Sequence, residues 1–116
     1  MGRLYRTVKV GELAPGEGRI VEVNGQDIAL FNVSGSFYAL DNVCPHRGGP
    51  LGEGFLEGNV VTCPWHGWKF DLNTGCSPVN PKVGVNRYRV KVEGEDILVE
   101  IPSGTLGQIQ VPGRRG

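Results

Sequence analysis

The sequence predicts an all-β protein built from antiparallel sheets. The 116 residues hold 19 glycines and 8 prolines, and the segments between them are rich in Val, Ile, Phe and Tyr. No repeat, heptad pattern or long helical stripe occurs anywhere in the chain. Such a mixture fits many short strands joined by tight turns, packed as a sandwich or small barrel. The length is that of one domain with a modest hydrophobic core.

The opening run Met1-Gly2-Arg3-Leu4-Tyr5-Arg6-Thr7 lacks the apolar stretch of a signal peptide, and no later window approaches a membrane span. A cytoplasmic protein without membrane contact is expected. Residues 19 to 40 alternate apolar runs with turns: Ile20 to Val23, Asn24-Gly25, Ile28 to Val33, Ser34-Gly35, then Phe37 to Leu40. This reads as a three-stranded meander. Asn24-Gly25 is its stronger turn, because Asn and Gly tolerate the positive φ that a type I′ turn requires. Further on, Tyr88, Val90 and Val92 alternate with Arg87, Arg89 and Lys91, and Glu93-Gly94-Glu95-Asp96 turns the chain into Ile97 to Ile101. A half-buried hairpin with one wet face follows.

Formal charge balances at zero, with twelve basic and twelve acidic residues. No basic stripe marks a nucleic-acid partner. Three cysteines are an odd number, which in a reducing compartment means free thiols unless position and spacing indicate ligation or catalysis.

Periodicity fades between residues 41 and 85, where Cys, His, Pro, Gly and Trp cluster, and function is expected there. Two clips stand out: Cys44-Pro45-His46 and, sixteen intervening residues later, Cys63-Pro64-Trp65-His66. Each offers one thiolate and one imidazole, and both histidines of the chain lie in them. Gly48, Gly49, Gly52, Gly54 and Gly67 let the backbone turn closely and aim N–H groups inward, as negatively charged bridging sulfides need. A Cys₂His₂ set also suits structural zinc, but familiar zinc sites pair Cys with Cys and His with His. Mixed clips fit a two-iron cluster better, each loop giving its Cys to one iron and its His to the other.

The spacing Cys44-x-His46 and Cys63-x-x-His66 resembles the Rieske motif. The resemblance extends to Pro50-Leu51-Gly52-Glu53-Gly54, to Trp65-His66-Gly67-Trp68-Lys69-Phe70-Asp71 and to the flanking strands, over about residues 4 to 101. It implies a Rieske-type fold of three small antiparallel sheets with two cluster-binding loops, over residues 1-102. Residues 103-116 form a tail of unassigned structure. It also implies one [2Fe-2S] cluster held by Cys44, His46, Cys63 and His66. Membrane-bound respiratory relatives add two cysteines that form a disulfide, at the positions of Gly49 and Trp65. They also place Ser and Tyr, whose hydroxyls donate to sulfur, where Trp68 and Phe70 stand. Without those donors the more negative reduced cluster is less favoured, so a low potential is expected.

Other residues read more plainly. Cys76 follows the turn Asn73-Thr74-Gly75 and is expected as a free structural thiol. Cys63 with His66 is no nucleophile and base, because a ligated thiolate cannot attack. Trp65, Trp68 and Phe70 are expected in core or loop packing. Arg47, Glu53, Glu57 and Lys69 are expected as solvated charges. Ser77-Pro78-Val79-Asn80-Pro81 resembles the proline loop that covers the cluster in this family. No flavin or nicotinamide site is evident, and Gly52-x-Gly54-x-x-x-Gly58 has the wrong spacing for a nucleotide loop.

The expected function is therefore an electron carrier rather than an enzyme, similar to the soluble ferredoxins of ring-hydroxylating oxygenases. Its expected partners are a flavin-dependent reductase and a terminal oxygenase. A small subunit beside a nitrite reductase large subunit is the alternative, and a zinc-stapled binding module a further one.

Overall fold

The expected meander is built as β2 (Gly18–Val23), β3 (Gln26–Val33) and β4 (Ser36–Asp41). The computed structural model describes residues 2–43, 49–65 and 67–102. Asn24 and Gly25 take φ of 51° and 84°, and Ser34 and Gly35 take 52° and 92°. Both turns thus carry the pair of positive φ values that matches strand twist in a two-residue hairpin.

β3 explains why the molecule has two cores. It is buried without interruption from Ile28 to Asn32, and successive side chains leave on opposite faces. Ile28 and Leu30 pack with Val21, Val23, Ala39, Ile97 and Val99 on one side. Ala29 and Phe31 pack with Leu40, Leu51, Val61, Cys63, Phe70 and Leu72 on the other. Buried Asn32 is satisfied: its amide donates to the Leu13 carbonyl at 2.7 Å, and its Oδ1 accepts from Gly35 N–H at 2.8 Å. That second bond secures the turn at Ser34-Gly35.

The C-terminal hairpin is β8 (Arg87–Glu93) and β9 (Asp96–Pro102). Ile97, Val99 and Ile101 are buried, and Tyr88 and Val90 are half-buried. Val92 is 44% exposed, so the apolar face thins toward the hairpin end. Among the longer strands, one was not foreseen. β1 (Gly2–Lys9) pairs antiparallel with β9, from Gly2 opposite Pro102 to Lys9 opposite Asp96, with a register break after Arg6. Arg3, Arg6 and Lys9 blur its local pattern but suit a solvent-facing edge.

Between the loops of interest lies a second sheet of β5 (Phe55–Glu57), β6 (Val60–Thr62) and β7 (Lys69–Asp71). The strand order is β1-β9-β8-β4-β3-β2 in one sheet and β5-β6-β7 in the other. The three antiparallel units are therefore present, but two of them join edge to edge. The seam consists of Ala39 opposite Tyr88 and Leu40 opposite Arg87.

Side chains reinforce that short seam. Tyr88 donates its hydroxyl to Asp41 Oδ1 at 2.5 Å and accepts from Gln26 Nε2 at 3.0 Å, while Asp41 Oδ2 accepts from Asn86 N–H at 3.0 Å. Burial, and then the neighbouring Asp41, push the phenol well above its usual range. Tyr88→Phe should lower unfolding free energy by about 2 kcal/mol, read from urea denaturation near neutral pH, because a bond to a charged acceptor is lost. The unfolded phenol ionises near about 10 while the folded one resists, so native stability declines as pH rises above that value. Phenylalanine at 88 should remove this contribution to the alkaline slope.

Candidate metal centre

Cys63 sits where β6 ends, and the chain returns through six residues to β7. Local geometry closes this second loop: Cys63 N–H donates to the Trp68 carbonyl at 2.7 Å, and Gly67 N–H donates to the Cys63 carbonyl at 3.1 Å. Gly67 has φ of 77°, a conformation that glycine adopts without steric cost. Below the loop, Thr62 pairs with Lys69 and Val61 with Phe70. Val61 and Phe70 are fully buried, so the loop stands on a packed base.

The first loop leaves β4 at Asp41 and is pinched by a single bridge between Val43 and Pro50. Leu51 N–H donates to the Asn42 carbonyl at 2.7 Å, and Gly52 N–H donates to Asn42 Oδ1 at 2.8 Å. Leu51–Glu53 then form a 3-10 turn whose Leu51 enters the second core.

The two loops meet at Gly49. A Cβ placed there would lie 2.6 Å from Cys63 Sγ and 3.1 Å from Trp65 Cγ. Only a residue without a side chain lets the first loop's backbone approach the second loop's thiol so closely. Gly49 and Trp65 thus face one another, as expected of the two positions that carry the extra disulfide in respiratory relatives.

Of the four expected ligands, Cys63 is described, 2% exposed and outside any disulfide. Cys44, His46 and His66 lie outside the described residues, as do Arg47 and the tail from Ser103. Among the described residues no three His, Cys, Asp or Glu side chains converge on one point.

Phe70 is in the core and Trp68 packs against it, as expected. Trp65 differs: it is 58% exposed, with its ring root against Gly49 rather than inside the core. Glu53, Glu57 and Lys69 are exposed, and Lys69 Nζ bonds Thr62 Oγ1 at 3.2 Å. Cys76 is free, with Sγ 3.8 Å from the Thr74 carbonyl. The proline loop is tied at its root by the bridge of Cys76 with Gly84 and by Ser77 N–H donating to Val83 O at 2.8 Å. Val79, at its tip, is 93% exposed. No described helix is long and apolar enough to cross a membrane.

Comparison with known proteins settles the family. The Rieske [2Fe-2S] domain matches residues 3–91. The chain belongs to the Rieske [2Fe-2S] family. The Rieske chain is 37% identical over 97 residues to the ferredoxin component of the naphthalene 1,2-dioxygenase system of Pseudomonas aeruginosa, covering 81% of this chain and 91% of that one. Among solved structures it is similar to a nitrite reductase small subunit from Mycobacterium tuberculosis, with TM-score 0.83 and 26% identity over 89% of this chain and 98% of that one. It is similar also to a chain from the complex of reduced oxygenase and oxidised ferredoxin of carbazole 1,9a-dioxygenase, with TM-score 0.76 and 31% identity over 83% and 91% of the two chains.

The residues present fit the family's cofactor, one Rieske-type [2Fe-2S] cluster. A buried thiol stands at the meeting point of two loops, and the opposing backbone is stripped to glycine at the sulfur. Asn42 and Gly49 are the site residues that the motif alone did not single out for these roles. The sequence signals for Gly49 were its place among the loop glycines and at the position that carries a disulfide cysteine in respiratory relatives, neither of which gives its distance to Cys63.

Proposed function

We propose that Cys44, His46, Cys63 and His66 hold the cluster, thiolates on one iron and imidazoles on the other, and that the protein carries single electrons to a terminal oxygenase. The contact of Gly49 with Cys63 Sγ carries this reading, since it joins two loops whose clips each pair a thiolate with an imidazole. A bound [2Fe-2S] cluster supplies one-electron redox chemistry at a potential set by its ligands, hydrogen bonds and exposure. The chain's own part is to hold the ligands rigidly and keep water from the thiolate side. Leu51, Val61 and Phe70, all fully buried, pack around Cys63 and serve that purpose. The proline loop 77–81 supports the same reading as a cover for the cluster.

The electron donor in this reading is a flavin-dependent reductase in the cytoplasm. No nicotinamide or flavin motif in the chain would take reducing equivalents directly, and both histidines are committed to the cluster. Activating oxygen on mononuclear iron typically needs two further histidines and a carboxylate. The protein alone therefore turns over no substrate.

Reconstitution tests this reading. With NADH, a reductase and a ring-hydroxylating terminal oxygenase, product should form only when this protein is added. Product from the protein with NADH and air alone would contradict it. The likeness to the nitrite reductase small subunit favours a second reading, as a fixed subunit of such an enzyme. Stable co-purification with a large subunit, and no shuttle activity, would support that reading instead.

The potential should lie at the low end of the Rieske range, about −150 mV, because Trp68 and Phe70 cannot donate hydroxyl bonds to sulfur. Voltammetry giving a value near about +300 mV would refute this.

A further inference from the structure

Asn42 stands two residues before Cys44 and is 5% exposed, a buried amide at the root of the first loop. One of its described bonds ties it to β3 and the other two cross that root. Its N–H donates to the Asp27 carbonyl at 3.3 Å, its carbonyl accepts from Leu51 N–H at 2.7 Å, and its Oδ1 accepts from Gly52 N–H at 2.8 Å. Asn42 N–H is taken by Asp27 in β3, so the pairing begun by the Val43–Pro50 bridge gains the bond from Leu51 but no return bond from Asn42. A side-chain oxygen takes over where the backbone cannot. Gly52 is itself buried, and a Cβ there would lie 2.6 Å from Ile20, so its backbone has no room to turn toward water.

We propose that Asn42 is a positioning residue for the cluster: its carboxamide oxygen fixes the return path of the first loop. It thereby keeps Gly49 against Cys63 Sγ. This rests on the ligand assignment proposed above. Asn42 touches no reacting atom, and its effect passes through Gly52, three residues beyond Gly49.

The holoprotein provides the test. Asn42→Ala leaves the Gly52 N–H buried without its acceptor. Visible absorbance should then be lost about tenfold faster in the presence of an iron chelator. The reduced-state EPR line shape and the visible circular dichroism should also change. Asn42→Asp supplies an isosteric acceptor and should restore most of the native bleaching rate and line shape. Ile97→Val, a small cavity in the first core, should leave both unchanged while lowering the melting temperature.

Native spectra and bleaching rate in Asn42→Ala would overturn the proposal. Should Asn42→Ala fail to accumulate, Asn42→Asp decides alone: near-native behaviour supports the role of the oxygen. Rapid bleaching at a native melting temperature overturns it. A native protein that binds no two-iron cluster overturns the ligand assignment and this proposal together, whereas a native cluster indifferent to residue 42 overturns this proposal alone.

Discussion

Cys63→Ala should accumulate as a folded but colourless protein, its iron and acid-labile sulfide falling from about two each per chain to background. In the proposed assignment the Cys63 thiolate is a ligand, and the second core offers no replacement for it. Cys76, the other described cysteine, is engaged in its own turn, with its N–H donating to Thr74 Oγ1 at 3.1 Å and its Sγ near the Thr74 carbonyl. Cys76→Ala should therefore keep its full colour. Cys44→Ala should match Cys63→Ala, because under the proposed assignment each removes one of two thiolates from the same iron. Far-ultraviolet circular dichroism separates cluster loss from unfolding. A coloured Cys63→Ala protein with native iron content would contradict the assignment.

Gly49→Ala should be nearly as damaging, although it adds one methyl group. The new Cβ would lie 2.6 Å from Cys63 Sγ, well inside contact distance. A sulfur fixed to iron cannot swing aside as the end of a flexible side chain can, so either the loops part or the cluster fails to assemble. Reconstituted iron should drop severalfold relative to the native protein. Gly11→Ala is the matched control, since a Cβ there meets nothing within 4 Å, and it should load normally. Full loading of Gly49→Ala with an unchanged EPR spectrum would show that the first loop has freedom which this packing denies.

Much of this architecture was legible because local chemistry and global packing agreed. The meander from Ile20 to Leu40 announces itself through Asn24-Gly25 and Ser34-Gly35, whose residues take positive φ in the folded chain. The β8–β9 hairpin follows from simple alternation. β1 was not legible because Arg3, Arg6 and Lys9 hide its period and its pairing with β9 lies about ninety residues away along the chain. The strands β5 to β7 are three residues each, too short for a period to register. Their antiparallel pairing, with Val61 and Phe70 packed against Phe31 and Leu40 in the second core, makes them a sheet.

The site divides in the same way. The proposed ligands are read from the two clips alone, because residue type and spacing are what a metal demands, and of the four only Cys63 is among the described residues. The supporting residues are different: Gly49 matters through a distance to Cys63, and Asn42 through a bond to Gly52 ten residues on. Neither relation has a local signature. Trp65 was open between core and loop packing, and its root packs against Gly49 of the first loop while it stays 58% exposed.

The central claim is that two cysteines and two histidines hold one two-iron cluster. Nitrogen ENDOR on the reduced protein, with and without ¹⁵N-labelled histidine, tests it most directly, together with metal analysis of the same sample. The account predicts about two irons per chain and coupling to two histidine nitrogens on one iron, with one lost in His66→Cys. Absence of histidine coupling, or one zinc per chain in place of iron, would contradict it.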